Sequence, residues 1–344
     1  MILLIKNYLD RQKIKATEVY DFENEKIKYS EKIKIHRKID KLGEEEIVRV
    51  YFLTKLVNEL GYKLENIEIE KEYEAGRPKK IKPRIDIIVR DNSGNAFLYV
   101  ELKSAKEYEK NQDQVIENQL FDLASLEKGK GKKVKYLLLY SMEIIENEIK
   151  DRCLLIDYEK YSSFNAWKET RNVIDEIPKN YERAQKRPYV KDGEKDLENK
   201  FTHDQLDGLR KNLHDVLWGG GGTDDNDIFS SLVNIILAKI QDESEKNSGQ
   251  EYDFQIFSYE DGGNFETNEQ LFSRINNLYK RALKQRLNMT DEAELKESFV
   301  VDRRKFSLIK FKAHGFKTRK IFFCWWQEQF KRKRFIRRFF WRNC

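Results

Sequence analysis

Asp86, Glu101 and Lys103 are the residues of this chain whose types and spacing best suit chemistry. They stand on two apolar runs, 85–89 and 97–102, joined by Asp91-Asn92-Ser93-Gly94. A carboxylate on a buried strand is costly unless it is paired or binds a cation. Strand side chains alternate with a period of two. Phe97, Tyr99, Glu101 and Lys103 therefore share one face of the second run, and Asp86 and Ile88 share one face of the first. Asn, Ser and Gly in the connection are the residues a hairpin turn wants. Pairing across it lets Asp86 and Glu101 converge at one end of the hairpin. Two carboxylates, with a backbone carbonyl such as that of Leu102, suit Mg²⁺, and Mn²⁺ in its place, because such hard cations prefer oxygen ligands. A cation held there would lower the pKa of a bound water and polarise a phosphoryl oxygen. Lys103 would orient the nucleophile or steady the charge building in the transition state. In a chain rich in Glu and Lys, the bare Glu101-Leu102-Lys103 triplet also fits a solvated strand end.

The flanking segments supply the elements that must position these groups. Residues 44–62 place Ile47, Val50, Tyr51, Leu53, Leu56, Val57 and Leu60 at helical spacing, and Gly61 follows as a stop. Residues 67–73 alternate like a strand, and the Asp86 and Glu101 strands come next. A helical stretch at 113–126 then leads into the apolar strand 134–140. The expected fold is an α/β core of order αβββαβ around a mixed central sheet, followed by a mainly α-helical domain.

Pro83-Arg84-Ile85-Asp86 and Glu101-Leu102-Lys103 resemble the two halves of the PD-(D/E)xK nuclease motif, with the proline three residues before the aspartate. More narrowly, Glu45-Glu46-Ile47-Val48-Arg49, Leu60-Gly61-Tyr62, 83–89 and 100–103 resemble the N-terminal nuclease domain of type I restriction enzyme R subunits, over roughly 35–145. The resemblance implies that Asp86 and Glu101 bind the metal and that Lys103 assists catalysis. It also implies a supporting glutamate on the first helix, for which Glu45 is the nearest match. A first-turn carboxylate favoured by the helix dipole explains Glu45 as well. Related nucleases carry a glutamine and a tyrosine four apart on the next helix. Here Gln119 is followed by Leu123, so Gln119 is either a backbone-contacting residue or a helix-surface glutamine.

A polar stretch at 183–200 reads as a linker. Beyond it Leu206, Leu209, Leu213, Val216 and Leu217 form one apolar helix face, and Ile228, Phe229, Leu232, Val233, Ile236 and Leu237 form another. Gly219 to Gly222 connect them without the lysine and Ser/Thr of a P-loop. His203 and His214 are eleven apart, wrong for a helical metal pair. The stretch 203–298 resembles the helical N-terminal region of restriction–modification DNA adenine methyltransferases. The four prolines, at 78, 83, 178 and 188, do not form the Asn/Asp-Pro-Pro-aromatic loop that holds a flipped adenine. A complete S-adenosylmethionine site and an ATP site are likewise missing from the sequence.

The net charge of +6 comes from 66 basic and 60 acidic residues. Residues 303–344 hold 15 Lys and Arg against the single acid Glu328, so the body is acidic and the tail intensely basic. That tail also holds three of five Trp and nine of 21 Phe, and reads as a basic arm, as disordered, or as out-of-frame sequence. Clusters at 77–82 and 128–133 are basic enough to meet phosphates. No apolar run approaches a membrane span, and three cysteines without metal-ligand spacing fit the cytoplasm. The expected organisation is an extension (1–34), a nuclease domain (35–182), the linker, a helical domain (201–302) and the tail (303–344). The expected function is that of a type I or type IIG-like, Mg-dependent restriction endonuclease, as a truncated fused restriction–methylation polypeptide. It would act on double-stranded DNA, with methyltransferase or specificity subunits as partners and without a membrane. The alternatives are a non-catalytic DNA-binding or docking scaffold, and the N-terminal remnant of an adenine methyltransferase.

Overall fold

The computed structural model of the 344-residue chain describes residues 2–11, 17–21, 24, 26–39, 42–74, 82–199, 225–258, 265–291 and 295. His203, His214, the four glycines at 219–222, the basic residues at 77–81 and the tail 303–344 lie outside the described residues. The chain divides into two compact units, one of residues 1–168 with 172–185, the other of 169–171 with 186–344.

The first unit opens with α1 (Ile2–Arg11) and a hairpin of β1 (Thr17–Asp21) and β2 (Lys26–Tyr29). Next come β3 (Lys34–Ile35), α2 (Glu44–Asn58), β4 (Ile67–Glu72), β5 (Arg84–Arg90) and β6 (Ala96–Leu102). A helical passage follows, made of α3 (Gln112–Val115), a π-helical turn (Ile116–Phe121) and α4 (Asp122–Gly129). The unit closes with β7 (Val134–Ile145), β8 (Glu148–Asp157) and α5 (Phe164–Thr170). The order α2-β4-β5-β6-α3/α4-β7 is the αβββαβ arrangement expected from the sequence. β3 and β8 extend the sheet to six strands in the order β3-β4-β5-β6-β7-β8. The sheet is mixed: β3/β4 and β6/β7 are parallel, and the other neighbours antiparallel.

Every residue of β6 is buried, as befits a central strand paired on both sides and covered on both faces. Side chains such as Leu98, Val100 and Leu102, all fully buried, contribute about 1.5–3 kcal/mol each relative to exposure. α2 ends where Gly61 takes φ +76, and Tyr62 N–H bonds back to the Leu56 carbonyl at 3.0 Å, which satisfies a carbonyl of the last helical turn. Phe52 of α2 lies fully buried against Tyr140 of β7, their rings 4.2 Å apart. That contact fixes the middle of α2 over the sheet.

In the second unit, α6 (Asp225–Glu245) packs along α7 (Asn268–Leu287). Ile235, Ile236 and Leu237 of α6 share a core with Leu271, Ile275 and Leu278 of α7. Thr267 and Gln270 form a capping box at the start of α7. The polar stretch before α6 is ordered within this unit: Lys191 Nζ donates to the Lys246 carbonyl at 2.7 Å, and Tyr252 donates to Asp196 at 2.9 Å.

Candidate active site

The β5/β6 register decides how the two carboxylates meet. Ile88 lies opposite Tyr99 and Ile87 opposite Val100, so the next rung sets Asp86 opposite Glu101 on one face. The turn holds this register through Asp91 Oδ1, which accepts from Ser93 and Asn95 N–H at 2.9 Å. Gly94 occupies the left-handed region there at φ +76. Beyond the last paired rung, the backbone N–H of Leu102 donates to Asp86 Oδ2 at 2.8 Å. Asp86 thus substitutes a side-chain acceptor for a strand carbonyl where the hairpin opens.

Glu101 is 4% exposed, and its Oε1 accepts from Lys103 Nζ at 2.6 Å. Burial pushes the Glu101 carboxyl well above its ordinary range, the Asp86 charge adds to that, and Lys103 opposes it. Burial works against the Lys103 ammonium, but Glu101 outweighs it and holds the amine above its ordinary pKa. Lys103 N–H also bonds the Tyr140 carbonyl at 3.0 Å, anchoring the residue after β6 to β7. Among the described residues Glu101 Oε2 accepts no hydrogen bond.

Glu45, at the start of α2, is exposed at its surface. Its carboxyl is raised by partial burial and feels the charges of Lys103 and Asp86, which places it at the rim of the same centre. Gln119 falls on the π-helical turn. Its Oε1 is buried without a hydrogen-bond partner among the described residues, unlike a helix-surface glutamine. A π turn inside a helix is a local departure that often accompanies functional positions.

Three further charged residues complete the centre, and sequence reasoning missed their role. Arg49 of α2, 4% exposed, donates to Glu46 Oε2 at 2.5 Å, to Glu70 Oε1 and to Asp86 Oδ1 at 3.1 Å. Glu46 also accepts from the Tyr29 hydroxyl. Burial works against the Arg49 charge, but Glu46, Asp86 and Glu70 together hold its pKa above the ordinary value. Glu70 of β4 has φ +57, while Ile69 and Lys71 on either side keep an unshifted register with β5. Glu68 and Lys71, three apart and so on opposite faces of a regular strand, form an ion pair at 3.8 Å. The left-handed residue lies between these two partners. The available signal was a Glu and an Arg at i,i+3 amid the apolar positions of α2.

The basic cluster at 128–133 is not part of this centre. Lys128, Lys132 and Lys133 line a cavity of about 400 Å³ with Tyr158 and Ser162. It lies where β7 begins, and the parallel register (Ala96↔Val134, Leu102↔Tyr140) sets that end of the sheet opposite the Glu101 end.

Among the described residues no three His, Cys, Asp or Glu side chains form a metal cage. Mg²⁺ does not require one, since it is commonly held by one or two carboxylates with waters and substrate phosphates. The hard oxygens of Asp86 and Glu101, with Glu101 Oε2 uncommitted, fit that mode. No helix among the described residues is long and apolar enough to cross a membrane. No curated protein matches the sequence. Residues 44–169, which run from α2 into α5 and contain Asp86, Glu101 and Lys103, match the family model of the type I restriction enzyme R protein N terminus (HSDR_N), bearing out the R-subunit resemblance there and leaving the helical region after 200 outside the match.

Proposed function

We propose that the first unit is a Mg²⁺-dependent DNA endonuclease of a restriction–modification system, in which Asp86 and Glu101 hold the cation and Lys103 assists hydrolysis. The observation that carries this reading is the placement of Asp86 and Glu101 across one hairpin end, with Lys103 ion-paired to Glu101 at 2.6 Å. The family match over 44–169 supports it. A divalent cation there supplies an activated water and a polarised phosphoryl oxygen. Water attacks phosphorus, the P–O ester bond breaks, and the products are a phosphate monoester and a hydroxyl end. Lys103, charged and only 15% exposed, stabilises the charge on the pentacoordinate phosphorus. Glu45, at the rim, and Gln119 are candidate supporting positions.

The substrate is double-stranded DNA, and methyltransferase or specificity subunits are the natural partners of such a domain. The second unit's packed helices α6 and α7, with the sequence resemblance over 203–298, support a fusion to a methyltransferase-type helical region. A scaffold without catalysis is the second reading. It is favoured by the engagement of Asp86, whose two oxygens already accept from Arg49 and Leu102 N–H.

Cleavage of methylated and unmethylated duplex DNA with Mg²⁺ or Mn²⁺ tests the proposal. Asp86→Asn and Glu101→Gln should abolish both cleavage and metal binding while the chain stays folded. Lys103→Met should slow cleavage about 10²–10³-fold while retaining metal binding. Native metal binding without cleavage, or cleavage unaffected by these changes, would refute the catalytic assignment.

A further inference from the structure

We propose that Arg49 is a resident counter-cation of the acidic centre, which shares Asp86 with the divalent cation and limits how tightly that cation is held. The inference rests on the metal-binding role given to Asp86 above. Arg49 is buried, and its three carboxylate partners come from three elements: Glu46 from its own helix, Glu70 from β4 and Asp86 from β5. Its Nε has no partner among the described residues, so the whole hold on the guanidinium runs through Nη1 and Nη2.

The three contacts are not equivalent. Glu46 is also served by the Tyr29 hydroxyl, and Glu70 by Arg84 Nε at 2.7 Å. Among the described residues, Asp86 has only the Leu102 N–H as its other donor. Its 3.1 Å contact is the longest of the three, and hence the one most readily given up. Glu46 and Glu70 keep the guanidinium in place while Asp86 turns toward another cation. A unit positive charge that close to a ligand oxygen opposes a dication electrostatically, and does so strongly where water is excluded.

Calorimetric titration of Mn²⁺ into the full chain without DNA tests this, using the native protein, E46Q and R49M/E46Q, with D86N as the control. The E46Q change keeps an acceptor for Tyr29 but removes one charge from beside Arg49, leaving more of the guanidinium charge for Asp86. E46Q should therefore bind Mn²⁺ about threefold or more weakly than the native chain. Adding R49M to that background removes the opposing cation and should tighten binding about tenfold relative to E46Q, past the native value. Equal affinities for E46Q and R49M/E46Q, or weaker binding by the double variant, overturn the proposal and leave Arg49 a purely structural residue. If the double variant does not fold, E46Q alone decides, and unchanged or tighter binding overturns the proposal. A native chain whose Mn²⁺ binding is absent, or survives D86N, overturns the functional reading and this inference together.

Discussion

Asp86 meets a backbone N–H on one oxygen and a guanidinium on the other, so it takes partners from two elements at once. The guanidinium is the more consequential partner for stability. Deleting one member of a buried ion cluster leaves uncompensated charge, which typically costs about 3–5 kcal/mol. Arg49→Met should therefore lower the unfolding free energy by about that amount, since Glu46, Glu70 and Asp86 are all buried beside it. Urea denaturation checks this, and a loss under about 1 kcal/mol would show that the carboxylates are solvated or neutralised some other way. None of this is legible from residues 46 and 49 alone. An i,i+3 Glu–Arg pair on a helix ordinarily describes a solvated face. What buries it is the approach of Glu70 and Asp86, 21 and 37 residues further along the chain from Arg49.

At the scale of elements, α2 carries Glu45, Glu46 and Arg49 at its start, and its far end is set by Gly61. The apolar spacing predicts a helix over 44–62; the helix spans Glu44–Asn58, with the closing turn occupying the residues after it. A Cβ at Gly61 would find ordinary room, its nearest neighbour being Asn180 Cβ at 3.6 Å. The penalty for a side chain there is thus the left-handed backbone alone. Gly61→Ala should destabilise the unit by about 1–2 kcal/mol, and Gly61→Asn by less, because Asn tolerates that region. Equal stability of Ala and Gly in a thermal melt would mean that α2 ends differently in solution. The hairpin is readable in advance because strand alternation and turn residues are local signals. β8 is not, since its first half, Glu148 to Arg152, is polar and only partly buried at the sheet edge.

For the molecule as a whole, a second carboxylate network, built on Glu68 and Glu127, governs acid stability. Glu68 accepts from Arg90 at 2.6 Å and pairs with His36 at 2.9 Å. Burial alone would raise its pKa, yet these partners bring it down from 4.5 to about 2. Glu127 is likewise lowered: burial opposes its charge, and Tyr73, Lys71 and Arg90 overcome that cost. A depressed folded-state pKa stabilises above the unfolded value and loses that contribution as pH falls through the folded value. Stability should therefore decline from about pH 4.5 toward pH 2, by on the order of 2 kcal/mol for Glu68. Thermal melts across this range should show the decline, and Glu68→Gln should flatten it. An unchanged slope in that variant would move the effect to other carboxylates. The same network ties β3, β4, β5 and α4 together through His36, Glu68, Arg90 and Glu127.

The sequence by itself determined the αβββαβ order, the hairpin and the strand faces that carry Asp86 and Glu101, because helical and strand periods and turn chemistry are written in neighbouring residues. Tertiary structure decided what surrounds these carboxylates. It brought Arg49 onto Asp86, set Glu70 against the same guanidinium, and placed the lysine cluster at 128–133 at the other end of the sheet. Those outcomes depend on burial and on charges distant in sequence. The energy of a buried charge is set by whichever partners the fold delivers, and no local pattern records them.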